Sequence, residues 1–222
     1  MTMTTLTTAP LAPLLERLLT EADEASPRND PAFSDMTTEE HLRLMRSKTE
    51  YVEFYGRLKD YPLAVSRETG ALLYILARSI KATTIVEFGT SFGLSTLHLA
   101  AALRDNGGGR LITTEFEPSK AARAQTSFEA AGVADLIEIR RGDALQTLAR
   151  DLPESIDLVL LDGAKALYPE ILALLESRLR PGALIVADNA DYAPDYMGRV
   201  RSPMAGYLSV PFAEDVELSM RL

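Results

Sequence analysis

The sequence predicts an α/β protein: a doubly wound sheet of seven strands, mostly parallel with the last strand antiparallel, helices on both faces and a helical cap at the N-terminus. Three observations carry this. From Thr83 onward, short apolar runs alternate with helical patterns, which implies right-handed crossovers and a parallel sheet. Two of those runs, Ile156-Asp157-Leu158-Val159-Leu160-Leu161 and Ala183-Leu184-Ile185-Val186-Ala187, stop abruptly at carboxylates, Asp162 and Asp188. That is the pattern of buried parallel strands whose carboxyl ends open into a ligand crevice. The chain then ends differently. Gly206 to Phe212 and Val216 to Leu222 read as consecutive strands joined by Ala213-Glu214-Asp215, with Val216, Leu218, Met220 and Leu222 alternating with polar residues. This is a hairpin, so the last strand enters antiparallel.

In chain order, Leu11, Leu14, Leu15, Leu18 and Leu19 form the apolar stripe of a short helix. A polar link, Ser26 to Asp35, follows. Thr37 and Glu40 make a capping box that opens a second amphipathic helix, through Leu42, Met45, Thr49, Val52 and Tyr55 to about Lys59. These helices are expected to lie on the main fold as a lid, a cap over 1–60 on a core over 61–222 within a single domain. Tyr61 to Val65 is extended, and Ser66 caps a helix carrying Leu72, Leu73, Ile75 and Leu76. Strands are expected at Thr84–Phe88, Leu111–Glu115, Leu136–Arg140, Ile156–Leu161 and Ala183–Ala187. Helices are expected at Leu94–Leu103, at Ser119–Ala131, briefly after Asp143, and at Leu167–Leu179 before a link of Arg180-Pro181-Gly182.

Composition narrows the function. The chain has 222 residues, 46% hydrophobic and 25% charged, enough for one well-buried core. A net charge of −9 argues against nucleic-acid or anionic-membrane partners and for a small molecule. The absence of cysteine excludes disulfides, thiolate metal sites and a cysteine nucleophile. With only His41 and His98, a histidine-rich zinc site is not expected, and His98, set among Leu97, Leu99 and Ala100, reads as a packed structural residue. No apolar run approaches ~18 residues and no secretory signal is legible, so the expected location is cytoplasmic, as a monomer or homodimer.

The first strand ends in Glu87-Phe88-Gly89-Thr90-Ser91-Phe92-Gly93, whose two glycines let the backbone approach a ligand and turn into a helix. A dinucleotide fingerprint has three glycines, G-x-G-x-x-G, and no acid ahead of them. Glu87 is awkward beside a pyrophosphate. It suits a ligand that carries cationic groups, as S-adenosylmethionine does with its amine and sulfonium. Glu115, ending the second strand, is placed to accept from two ribose hydroxyls, and Gly142-Asp143-Ala144 to meet an adenine edge. At the fourth and fifth strand ends, Asp162, Asp188 and Asn189 should converge with Lys165. This all-oxygen set suits a hard divalent ion such as Mg²⁺, with positions left for water and a chelating substrate. Singly, Asp162 reads as a helix cap, Lys165 as a surface lysine and Asp188-Asn189 as a turn. Their joint occurrence at neighbouring strand ends is what favours a site.

Two motifs extend this. After the fourth strand stands Asp162-Gly163-Ala164-Lys165-Ala166-Leu167-Tyr168, after the fifth Ala187-Asp188-Asn189, and beyond them Ala193-Pro194-Asp195-Tyr196 and Val200-Arg201. Over about Tyr61 to Leu222 the sequence resembles the Mg²⁺-dependent, S-adenosylmethionine-dependent O-methyltransferases, and its last stretch resembles the catechol branch more than the caffeoyl-CoA branch. The resemblance implies the class I methyltransferase, Rossmann-like fold. It implies metal ligation (Mg²⁺ or another divalent cation) by Asp162, Asp188 and Asn189, and Lys165 as general base. For the cofactor it implies Val65 and Ser95 near the methionine carboxylate and amine, Glu87 and Gly89 in the first loop, Glu115 on ribose, Asp143 and Ala144 near adenine, and Asp162 reaching the amine. The implied partner is a small aromatic diol; a larger vicinal diphenol, such as a hydroxycinnamoyl or natural-product intermediate, and a non-catalytic binding protein are the alternatives. Gly163 and Ala164 depart from the family, standing where catechol enzymes often carry bulkier aromatic groups, and Glu117 replaces a small polar residue. The acidic substrate contact expected late in the chain has three candidates, Glu214, Asp215 and Glu217.

Overall fold

The computed structural model describes residues 3–25, 27, 33, 35–212 and 215–222. Its seven strands are β1 (Thr84–Phe88), β2 (Arg110–Glu115), β3 (Ile137–Arg141), β4 (Ile156–Leu161), β5 (Leu179–Ala187), β6 (Tyr207–Phe212) and β7 (Val216–Arg221). They form one sheet in the order β3-β2-β1-β4-β5-β7-β6. The first five pair in parallel, and β7 runs antiparallel between β5 and β6. The reversed last strand is the one the hairpin predicts.

Successive side chains of a strand point to opposite faces, and helices cover both. On one face Ile85, Leu111, Leu158 and Leu160 pack against Leu73 and Ala77 of α4 (Arg67–Ser79) and Leu99 and Leu103 of α5 (Leu94–Asp105). On the other, Val86, Val159, Leu161 and Ile185 meet Tyr168, Ile171 and Leu172 of α8 (Tyr168–Leu175) and Tyr196 and Val200 of α9 (Pro194–Val200). Between them in the chain lie α6 (Pro118–Ala130) and the single turn α7 (Ala144–Thr147). His98 is buried on α5 with Nδ1 2.8 Å from Leu94 O, a structural histidine as expected.

The cap is two separate pieces. The leucine stripe of α1 (Leu11–Glu24) is buried against Leu94 and Leu97 of α5 and Ala124 and Phe128 of α6, so most of this helix flanks the fold rather than covering the strand ends. Each fully buried leucine contributes about 2 kcal/mol. The helix expected from Thr37 to Lys59 is instead α2 (Thr38–Met45) and α3 (Tyr51–Arg57). Thr37 caps α2 as predicted, accepting from Glu40 N at 3.2 Å. The break comes at Ser47, whose Oγ accepts from Glu50 N at 3.0 Å and so offers the backbone a local alternative to helix. Leu44, Met45, Phe54 and Leu58 form a small cluster of their own with Phe33, Tyr61 and Tyr192. The link read at Ser26 to Asp35 lies mostly outside the described residues.

A second difference lies before β5. The helix expected over Leu167–Leu179 is a 3₁₀ turn (Lys165–Leu167), α8 and a further 3₁₀ turn (Glu176–Arg178), and β5 begins at Leu179. Arg180-Pro181-Gly182 therefore lies inside the strand. It fits because the register to β4 slips there, from Ile156↔Leu179 to Leu158↔Leu184, and a bulge tolerates a proline that cannot donate to the ladder. Among the described residues, no helix is long and apolar enough to cross a membrane.

Candidate active site

Three strand ends fix the site. The N–H of Asp162 donates to Phe88 O at 2.8 Å and that of Asp188 to Leu161 O at 2.9 Å, so the closing ladder bonds of β1, β4 and β5 hold both carboxylates at one sheet edge. The 3₁₀ turn after Asp162 brings Lys165 back over it. Lys165 Nζ donates to Asp162 Oδ1 at 2.8 Å, and the two side chains are only 4% and 14% exposed. Asn189 holds a left-handed φ of 49°, which asparagine tolerates better than most residues. Its Nδ2 donates to Asp215 Oδ2 at 2.9 Å, and Ala190 N donates to Asp215 O at 2.8 Å. The four residues expected at the strand ends are thus brought together, and Asp215 joins them.

Burial and the neighbouring Asp162 charge push the Asp188 carboxyl up to about 7, with Lys165 pulling the other way. For Lys165, burial favours the neutral amine. The carboxylate of Asp162, followed by Tyr168 and Asp188, nonetheless holds it well above the ordinary lysine range, so it is an ammonium here. Tyr168 is a core residue. Its hydroxyl donates to Asp188 O at 2.8 Å and its ring meets Phe88 and Tyr196 edge to face, at 6.3 and 5.8 Å. Among the described residues no group of three or more histidine, cysteine or acidic side chains is placed to hold a metal; the strand-end set is two carboxylates and an amide.

Two cavities meet at Asp162, which lines both. One, of about 300 Å³, runs over Gly89, Glu115, Asp143 and Ala144, with Tyr51 and Tyr55 of α3 in its wall. The other, of about 780 Å³, is lined by Val65, Lys165, Asp188 and Asn189 and walled by the cap residues Phe33, Met36, His41, Met45 and Phe54 together with Tyr192. Gly89, at φ 102°, passes so close to the next strand end that a Cβ would stand 2.7 Å from the Asp162 backbone. The turn needs glycine there. Glu87 and Ser95 line neither cavity. They bond each other beneath the turn: Ser95 Oγ donates to Glu87 Oε1 at 2.6 Å, and Thr96 and Thr113 donate to Oε2 at 2.5 and 2.6 Å. Burial pushes this carboxyl up to about 7 against the pull of those three hydroxyls.

Residues 86–190 match the family model described as a methyltransferase domain. The O-methyltransferase TomG of Streptomyces achromogenes, involved in tomaymycin synthesis and solved in complex with S-adenosylmethionine, is 30% identical. It superposes with a TM-score of 0.63, covering 90% of this chain and 98% of that one. The chain belongs to the S-adenosylmethionine-dependent O-methyltransferases. Its sheet, with only the last strand reversed, is the class I methyltransferase fold. Among curated O-methyltransferases it is 39% identical over 130 residues to the catechol O-methyltransferase of Niastella koreensis, covering 57% of this chain and 58% of that protein. It is 29% identical over 210 residues to catechol O-methyltransferase B of Danio rerio, covering 91% and 73%. The matched segment spans under three-fifths of the length of the Niastella relative.

Two of the departures from the family acquire a structural reason. A Cβ at Gly163 would stand 2.5 Å from the Phe88 ring, so Phe88 fills the space that a side chain at 163 would need. Glu117 caps α6, accepting from Ser119 N at 3.2 Å. Of the late acids, Glu217 is 1% exposed and clamped by Arg201 at 2.8 and 2.7 Å and by Ser209 at 2.5 Å, a structural ion pair. Glu214 lies outside the described residues, which leaves Asp215 as the acid beside Asn189. Tyr51, Ser91 and Lys120 also line the smaller cavity and were not among the predicted site residues. Their only legible signal was polarity or aromaticity at a helix start or loop, which surface residues share.

Proposed function

We propose that the chain transfers the methyl group of S-adenosylmethionine to one hydroxyl of a vicinal diphenol. The observation that carries this is Asp162, Lys165, Asp188 and Asn189 gathered where the two cavities join. A cofactor lying in the smaller cavity, with its ribose at Glu115 and its adenine at Asp143 and Ala144, would present its methyl group near Asp162 to an acceptor in the larger one. Glu87 and Ser95 support this arrangement from beneath by bracing the Gly89 turn.

The donor chemistry of Asp162, Asp188 and the Asn189 amide oxygen fits a hard divalent cation, since the Asp162 charge raises the proton affinity of the buried Asp188 and a cation shared between them would relieve it. When bound, such an ion stabilises the phenolate of a chelated diol, which as a free phenol ionises only near pH ~10. Asp215 accepts from the Asn189 nitrogen, which leaves the amide oxygen as the atom that would face a cation. Lys165, which lines the larger cavity, would take the acceptor's proton. It does so only once Asp162 turns its charge elsewhere, because the present ion pair keeps the ammonium protonated. Methyl transfer then follows as an in-line displacement, with the sulfur leaving as a neutral thioether and the chain supplying position.

A larger acceptor is the second reading, favoured by the 780 Å³ cavity and its aromatic wall. The test is methyl transfer to a panel of catechols, larger vicinal diphenols and monophenols, with Mg²⁺ and then with EDTA. Turnover of vicinal diols alone, abolished by EDTA, is expected. Equal turnover of monophenols, or indifference to EDTA, would sink the chelation mechanism.

A further inference from the structure

Lys120 is a buried cation without a proper partner. It sits in the first turn of α6, five residues beyond Glu115, and is only 4% exposed, yet it lines the smaller cavity. An ammonium has three donors. Among the described residues its one hydrogen bond runs to Ser91 Oγ at 3.4 Å, at the weak limit, and its Nζ also stands over the Phe92 ring, 5.5 Å from the centroid. Beside it Glu115 is oriented by backbone groups: Oε2 accepts from Ser91 N at 2.8 Å and Oε1 from Glu117 N at 2.9 Å. Each of those oxygens retains capacity for one more donor. Burial without adequate hydrogen bonds also lowers the lysine to about 8, despite the acidic surroundings of Glu115, Glu117, Asp162 and Asp60.

The juxtaposition is selective. A carboxylate accepts hydrogen bonds from hydroxyls but offers nothing to their oxygen lone pairs, whereas an ammonium does the reverse. Side by side they match a cis-diol, whose hydroxyls donate to one and accept from the other. An anionic ligand fits poorly among four carboxylates; a neutral diol fits well. We infer that Lys120 is a cofactor-binding residue that donates to a ribose hydroxyl oxygen of S-adenosylmethionine and, with Glu115, makes the ribose site a two-sided clamp. This rests on the assignment of the smaller cavity to the cofactor.

The test is calorimetric titration of the full chain, wild type and Lys120→Met, with S-adenosylhomocysteine and with its 2′,3′-dideoxy analogue, after thermal melting has established that the variant is folded. The expected result is a loss of about ten-fold in affinity for S-adenosylhomocysteine in the variant, and no difference between the two proteins toward the dideoxy analogue. An unchanged affinity for S-adenosylhomocysteine, or an equal loss with both ligands, overturns the inference, the latter by giving Lys120 a merely structural role. Should the methionine variant melt below the assay temperature, Lys120→Gln, which keeps a neutral donor, is expected to lose about three-fold, again only when the diol is intact. Failure of the wild type to bind S-adenosylhomocysteine at all would instead refute the cofactor assignment.

Discussion

Glu87 and Asp188 are both buried acids pushed up to about 7, and they differ in what surrounds them. Glu87 has three hydroxyl donors converging on its two oxygens and lines neither of the two cavities. Asp188 lies against another carboxylate and lines the larger cavity. The difference teaches how to tell structure from site. A buried acid whose oxygens are filled by internal hydroxyl donors is held as a brace, while one set against a second acid beside a cavity is a candidate site. Shifted proton affinity alone does not separate the two.

Asp188→Ala is expected to lower methyl transfer by at least about a hundred-fold while leaving the melting temperature largely unchanged, as removing a metal-site contact does. A collapse of stability instead would make it a brace like Glu87. Lys165→Met should reduce kcat by about a hundred-fold or more with little change in cofactor affinity, the size expected of a lost general base; equal loss of cofactor binding would reassign the residue to packing. For Glu87 the effect should lie in stability. Its carboxyl is raised on folding, so the stability it contributes is complete below about pH 4.5 and is lost as the pH rises through about 7. Glu87→Gln should therefore flatten the decline in melting temperature between pH 5 and 8, relieving up to about 3 kcal/mol. Identical pH profiles would contradict the buried-acid account. The smallest effect is expected at Tyr168→Phe, which deletes the bond to Asp188 O at a cost of about 1 kcal/mol measured by denaturant unfolding.

Much of this was legible in the chain. Continuous apolar runs ending in acids gave the parallel strands and their open edge, and the alternation after Val216 gave the reversed strand. The convergence of Asp162, Asp188 and Asn189 with Lys165 followed from their places at and just beyond neighbouring strand ends. Legibility failed where a local bond competed with periodicity, as at Ser47, and where a bulge absorbed a sequence that reads as a linker, as at Pro181. It failed again for Glu87, because a strand end gives the position of a side chain but not the face on which its partners stand. Asp215 and Glu217 illustrate the same limit: two residues apart, one faces the site and the other is locked to Arg201.

The contact between Gly163 and Phe88 constrains how this fold can be remodelled. A side chain at 163 collides with the Phe88 ring, and trimming Phe88 alone leaves a hollow beside Tyr168. Either single step is disfavoured, so importing an aromatic wall at this point requires both exchanges at once. Sequences on the two sides of that double step are separated by a barrier that stepwise mutation crosses only through a weakened intermediate.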